Sequence, residues 1–324
     1  MAEIVLGIGT SHTPMLFTPP ELWPEYEARD RRVELLDRDG RPRSFEELRS
    51  ARGRELDPAD FEKNYRRCQE ALDRLALVLE EVAPDAVLVI GDDQKELFHE
   101  DNLPAILVFR GESLLNKKRL PKPDEPSWWS DALAQYYGRD EDESHPVEAH
   151  LARHLIESLI ENEFDVAQSD ALPEGRGEGH AFAFVHSRLL RHRPVPVVPV
   201  FLNTYYPPNQ PTPRRCVQLG RAIRRAVESF PGSSRVAVVG SGGLSHFVID
   251  EELDRLVLGA LDDDDVETLT SLPQAKLHSG TSEIRNWLAM YGATAHLSHG
   301  WTDYVPAYRT SAGTGTGCAF AFWR

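Results

Sequence analysis

The feature that most constrains the fold is a pattern that recurs at distant points of the chain. A short apolar run is followed by glycine, small polar residues and then a histidine or an amide. Glu3–Ile8 (EIVLGI) leads into Gly9-Thr10-Ser11-His12, and Val236–Val239 leads into Gly240-Ser241-Gly242-Gly243-Leu244-Ser245-His246. Asp85–Ile90 (DAVLVI) leads into Gly91-Asp92-Asp93-Gln94. Apolar runs of this length, rich in β-branched residues, form strands buried on both faces. Buried strands of that kind are typically parallel, and parallel strands need crossovers, usually helical. Phe61–Val82, His145–Glu163, Thr212–Ser229 and Asp250–Leu261 read as those helices, while Leu103–Phe109 and Pro194–Phe201 read as further strands. The predicted fold is therefore α/β, a central mixed, mostly parallel sheet with helices on both faces. In open sheets of this class ligands bind beyond the carboxyl ends of the strands. His12, Gln94 and His246 all fall there.

No linker-like break in composition interrupts the alternation, so residues 1–324 read as one domain. Residues 13–54 are the exception in texture. Pro14, Pro19, Pro20 and Pro24 forbid a continuous helix at their start. A connection this long reads as a lid, with Trp23 over the site, or as an oligomer contact. The formal charge of −16 argues against nucleic acid as a partner. Cys68, Cys216 and Cys318 form neither a disulfide framework nor a zinc-ribbon pattern, which points to a reducing cytoplasm. MAEIVLGIGTSH lacks the pattern of a signal peptide. No run approaches the roughly 20 apolar residues of a membrane span.

Several further motifs have ordinary structural readings. His150 and His154 have an i, i+4 spacing that can bind metal, but Leu151-Ala152 stands where a protease signature needs its glutamate, so they read as solvated or capping. Asp262–Asp265 lacks the alternate spacing and central glycine of a calcium loop. Gly313–Gly317 (GTGTG) precedes a strand-like run and not the helix that a phosphate cradle needs. Trp128 and Trp129 read as edge packing. Glu174–Gly179 is a glycine-rich turn leading to His180 and an alternating AFAFV that reads as a strand. Asn203-Thr204-Tyr205-Tyr206 stands at another strand end. Glu283, in HSGTSEIRNWLAMY, taken alone reads as a first-turn carboxylate complementing its helix dipole.

Together the strand ends and one helix start carry His12, Gln94, His180, His246 and Glu283. Two imidazoles and a carboxylate with open positions form the ligand set of non-haem Fe(II) oxygenases. A remaining histidine is free for proton transfer near neutral pH.

GIGTSHTPM, PDAVLVIGDDQ, GHAFAF, PVFLNTYYPPNQPTPRRCVQLG, VGSGGLSHF and SGTSEIRNWL, in this order, resemble the class III extradiol ring-cleaving dioxygenases. These are relatives of the protocatechuate 4,5-dioxygenase β subunit, and within the group the chain looks most similar to the 3-O-methylgallate and gallate dioxygenase branch. The resemblance implies Fe(II) held by His12 and Glu283, His246 as catalytic acid–base and His180 lining the substrate pocket. It implies a catecholic substrate, O2 as co-substrate, ring opening beside the diol, and a homodimer. Thr13, Tyr205, Tyr206 and Arg214 are candidates to hold the substrate. The family's second iron-binding histidine has no counterpart; Gln94 stands at that strand end, and His99 lies five residues beyond it. Two alternatives follow from the residues: a metal-dependent hydrolase or amidase using His12 and Glu283, and a binding protein without a metal.

Overall fold

The computed structural model describes residues 1–138 and 140–324. An eight-stranded sheet organises them. In chain order its strands are β1 (Glu3–Thr10), β2 (Ala86–Asp92), β3 (Ile106–Phe109), β4 (Ala167–Ser169), β5 (Val197–Leu202), β6 (Arg235–Ser241), β7 (His299–Tyr308) and β8 (Gly315–Trp323). Their order across the sheet is β7-β8-β1-β6-β2-β5-β3-β4. The run β1-β6-β2-β5 is parallel throughout. β8 joins β1 antiparallel, and β3 joins β5 antiparallel. This is the mixed, mostly parallel α/β sheet expected from the apolar runs.

The central strands are apolar through their middles because both faces are covered. Ile4, Leu88, Ile90, Val198, Val200, Val236 and Val238 face one core, where the helices Ala149–Glu161, Pro213–Ser229 and Ile284–Thr294 pack. Leu6, Ile8, Val87, Val89, Ala237 and Val239 face the other, built on the helix Pro58–Val82. The period of two that separates these sets is the pleat itself. Among the described residues no helix is long and apolar enough to cross a membrane.

Residues 13–54 fold into short pieces: 3-10 turns at Pro14–Leu16 and Pro20–Glu25, helices Tyr26–Asp30 and Phe45–Arg52, and a small hairpin of Leu35–Leu36 with Pro42–Arg43. A buried pair ties the segment to the end of the chain. Arg309 donates from Nε and Nη2 to the two oxygens of Asp30, at 3.0 and 2.7 Å. Trp23 does not cover the site. It is buried against Phe61 and donates from Nε1 to the carbonyl of Thr18.

Two expectations are corrected. His145 lies in a short strand, Glu143–Pro146, paired with Ser113–Asn116, and the helix begins only at Ala149. Pro146 accounts for this, since a residue before proline is driven to extended backbone. AFAFV is not a strand but the helix His180–Phe184, which runs on into a π-helical turn at Val185–Leu189. Alanine and phenylalanine are both apolar, so their alternation carries no period-two signal when every side is buried.

The helices Pro213–Ser229 and Ile284–Thr294 cross through glycine. A Cβ on Gly220 would sit 2.0 Å from the carbonyl oxygen of Ala289, and one on Gly292 would sit 2.2 Å from that of Val217. Backbone cannot move aside as a flexible side chain would. Gly220→Ala is expected to destabilise the fold by about 1–3 kcal/mol, read as a lower midpoint in urea denaturation; an unchanged midpoint would show that the crossing is looser than this contact implies.

Candidate functional site

Parallel register brings four strand ends level. Thr10 pairs with Ser241, Gly240 with Ile90, and Asp92 with Leu202. His12, Asp92, Gln94 and His246 therefore emerge along one edge. Glu283 reaches the same edge as the last residue of a 3-10 turn, Ser279–Glu283, beneath the helix Ile284–Thr294. Its side chain caps no helix. It is buried at 1% exposure and turned into the site.

Each oxygen of Glu283 has defined partners. Oε2 accepts from the backbone N–H of Gly243 at 2.7 Å and lies 3.2 Å from His12 Nε2. Oε1 lies 3.2 Å from His246 Nε2 and accepts from the amide of Gln94 at 3.2 Å. Burial opposes the charge on Glu283, but His246 and His12 hold its carboxyl well below the usual carboxylate range. His246 Nδ1 donates to the carbonyl of Leu244 at 2.8 Å, which aims Nε2 inward. Burial works against a proton on His246, yet Glu283 foremost raises its pKa above that of free imidazole. Gly280 leaves room for this ring, since a Cβ there would lie 1.9 Å from it.

His12 and His180 face each other, Nε2 to Nε2, at 3.2 Å. His12 Nδ1 is 3.0 Å from Ser241 Oγ, whose hydroxyl donates to the carbonyl of Ala181. Nδ1 of His12 is therefore the donor to Ser241, which leaves Nε2 as the ring nitrogen that faces Glu283 and the site. His180 Nδ1 bonds Glu96 at 2.6 Å. Burial alone would lower the pKa of His180; Glu96, with Asp92 and Glu283, raises it to about 10. Glu96 reaches this position because Asp93 accepts from the N–H groups of Leu97 and Phe98 and turns the chain.

Asp92 completes the group and carries no signal in the sequence. It is fully buried, 4.0 Å from His12 Nε2, and accepts from Asn286 at 3.1 Å and Gln94 at 3.3 Å. Burial and then Glu283 raise its pKa. One donor atom each from His12, Asp92 and His180 lie within 4.8 Å of one another, the spacing of a metal site. The group also fits a cation by charge. Among the described residues no lysine or arginine bonds Asp92 or Glu283; their partners are imidazoles, amides and one backbone N–H.

His12, Thr13, Gln94, His180, His246 and Glu283 all line one cavity of about 590 Å³, within the usual range for small-molecule sites. Its lining also holds Arg29, Arg119, Lys122 and Arg309, with Asp30, Glu34 and Glu125 among them. Trp129 belongs to it as well, with the Arg29 guanidinium 3.4 Å above its ring, so this tryptophan does more than pack an edge. Tyr205, Tyr206 and Arg214 do not line the cavity. Tyr205 and Tyr206 are half-buried, and Arg214 is exposed on its helix. His99 is exposed and lies outside the group. Gln94 is present, but its amide nitrogen, not its oxygen, faces the two carboxylates. His154 bonds Ser229 at 2.9 Å and His150 is exposed, as expected of solvated residues.

A further carboxylate fixes the loop that carries His246. Asp254 accepts from the N–H and hydroxyl of Ser245, at 2.8 and 2.6 Å, and from Tyr304 at 2.7 Å.

Residues 73–317 match the family described as the catalytic LigB subunit of aromatic ring-opening dioxygenase. Among curated relatives, a gallate dioxygenase of Pseudomonas putida is 36% identical over 163 residues, which are 45% of this chain and 46% of that protein. A 2,3-dihydroxyphenylpropionate/2,3-dihydroxicinnamic acid 1,2-dioxygenase of Cupriavidus necator is 42% identical over 101 residues, 31% of this chain and 30% of its own length. The enzyme of the same description in Mycolicibacterium smegmatis is 34% identical over 125 residues, 36% of this chain and 37% of its own. The chain thus spans less than half the length of the relatives it matches.

The pKa of Asp254 is pushed up to about 6 by burial, against its three hydrogen bonds. With a folded value above the ordinary 3.8, the folded state binds the proton more tightly than the unfolded chain. This contribution to stability is fully present below the unfolded value and is lost as pH rises through about 6. Asp254→Asn removes that dependence. Urea denaturation between pH 4 and 7 is expected to show the variant gaining on the wild type as pH rises, by about 3 kcal/mol at most. Parallel stability curves would show that Asp254 is ionised at no cost.

Proposed function

Given that the chain belongs to the family of catalytic LigB subunits of aromatic ring-opening dioxygenases, we propose that it opens a catecholic ring beside the diol with O2, using a non-haem Fe(II). The observation that carries this reading is the meeting of His12, Glu283 and His246, distant in sequence, around one cavity. His12 Nε2 and Glu283 would hold the iron, as the family likeness implies. Asp92 offers the third ligand in place of Gln94, whose amide donates to both carboxylates and steadies them. When bound, the metal acidifies the substrate hydroxyls and brings the diol and O2 together.

The remaining work falls to the protein's own side chains. Ser241 accepts from Nδ1 of His12 and so fixes Nε2 as the nitrogen that would meet the metal, an outer-shell contact of a kind that typically affects metal affinity about 10–100-fold. His246, fixed through Nδ1, presents Nε2 to the cavity. In its neutral form it takes the proton of a substrate hydroxyl there and returns it as the ring opens. His180, held protonated by Glu96, places positive charge beside the carboxylates and lines the pocket. Thr13 lies in the cavity wall. Arg29 and Lys122 stand further out, where a carboxylate on the ring would reach them, the position first assigned to Tyr205, Tyr206 or Arg214. Gallate, 3-O-methylgallate and protocatechuate are the substrates of this type. The same reading makes the protein a cytoplasmic homodimer, in accord with three unpaired, buried cysteines. Residues 13–54 supply cavity wall through Tyr26, Arg29 and Asp30, which supports a lid role over an oligomer contact.

The test is anaerobic loading with Fe(II), then O2 uptake with a panel of substituted catechols. Oxygen consumption together with a yellow ring-opened product is expected. Stoichiometric metal without O2 uptake on any catechol would turn the reading toward a metal-dependent hydrolase.

Two variants separate the roles. Glu283→Ala is expected to lose the iron by elemental analysis. His246→Ala should keep it and lose turnover by at least about a hundredfold; unchanged ring opening would remove His246 from the mechanism.

A further inference from the structure

We propose that His145, Glu178 and His186 bind a second divalent transition metal, of the zinc class, at a buried position outside the cavity. One donor atom from each of the three lies within 4.8 Å of the other two. All three side chains are more than nine-tenths buried, at 5%, 3% and 1% exposure. None lines the catalytic cavity.

The second observation is unmet polarity. His145 Nε2, His186 Nε2 and Glu178 Oε2 are buried with no hydrogen-bond partner among the described residues. Buried polar atoms in native structures are nearly always partnered, and orphans grouped together point to an unseen ligand. The imidazoles of His145 and His186 stack at 3.8 Å between centroids, 15° apart, so one ring would turn about its Cβ–Cγ bond for both in-plane lone pairs to reach one ion. His186 Nδ1 lies 2.9 Å from Glu178 Oε1, near enough for both to reach one ion or for one to orient the other. Glu143 stands at the rim, 3.7 Å from His145 Nε2 and bonded to His192 Nδ1 at 2.8 Å.

The donor chemistry selects the ligand class. Two imidazoles and one carboxylate suit zinc and its neighbours, whereas calcium or magnesium would want oxygen throughout. The fold spends unusual geometry here. His186 lies in the π-helical turn Val185–Leu189, a wide turn that re-aims side chains and is frequent at functional positions. Glu178 lies two residues before His180 in the chain, so an ion here would brace the start of the helix that presents His180 to the cavity.

The experiment uses the full chain, stripped with chelator and titrated with Co(II), followed by visible absorption and elemental analysis. Glu283→Ala removes the cavity's metal and reads the second site alone: one equivalent is expected, with the intense ligand-field bands of a low coordination number. Glu283→Ala combined with His186→Gln is expected to bind none. No Co(II) in Glu283→Ala, or undiminished binding after His186→Gln, overturns the proposal. Should His186→Gln fail to fold, anomalous scattering at the zinc edge from wild-type crystals grown with Zn(II) decides. A peak between His145, Glu178 and His186, with metal–nitrogen distances near 2.0–2.1 Å, supports the site; an ordered water without anomalous signal refutes it. Failure of the dioxygenase reading would leave each of these outcomes unaltered.

Discussion

The buried carboxylate of Glu283 is the point on which the site converges. Removing a carboxylate from water is costly unless its oxygens are met by donors or cations. Here they are met from four directions: by the N–H of Gly243, by His12, by His246 and by Gln94. These partners come from the ends of three different strands. Displacing any one strand leaves a buried charge short of a partner, so packing of the sheet and assembly of the site are one event. Arg285 anchors the far side. It is buried at 1% exposure and donates to the carbonyls of Pro211 and Leu277, at 2.8 and 3.0 Å, fixing the loops around Glu283.

The sheet makes this convergence cheap in sequence. A parallel register sets β1, β6 and β2 level, so three short motifs written far apart are delivered to one edge without long loops. Glycine supplies the clearance. Gly242 approaches Glu283 so closely that a Cβ would lie 2.9 Å from the glutamate's own Cβ. The strand-then-histidine motif therefore carries both fold and site, the strand through burial on two faces and the glycines through approach distance.

That double duty explains what was legible in the chain and what was not. The strands, their parallel order and the histidines at positions 12, 180 and 246 follow from local patterns. Asp92 does not, because an aspartate at a strand end looks the same whether it faces water or a buried imidazole. Only the register beside Ser241 and the amide of Asn286 makes it part of the group. Glu96 is hidden for a related reason: its partnership with His180 depends on Asp93 turning the chain, a hydrogen-bond pattern without a motif. Tyr205 and Tyr206 stand at a strand end as a pocket residue would, yet neither lines the cavity. The group of His145, Glu178 and His186 is harder still, since a hairpin, a glycine-rich turn and a π-turn must all form before its members meet.

Charge ties these parts to the chemistry. The chain carries a formal charge of −16, yet the cavity is graded. Its floor gathers Glu96 and Glu283 against His12, His180 and His246, with Asp92 buried beside them, an arrangement that draws a cation inward. Elsewhere its lining carries Arg29 and Lys122 beside Glu34 and the paired Arg309–Asp30 and Arg119–Glu125, and the two cations without an ion pair among the described residues offset the floor's field for an approaching anion. A planar ring with hydroxyls at one end and a carboxylate at the other has the complementary gradient. It would enter with the diol toward His12 and Glu283 and the carboxylate toward Arg29 and Lys122. On the proposed function, the orientation of such a ring would be set by these opposed fields before any specific contact forms.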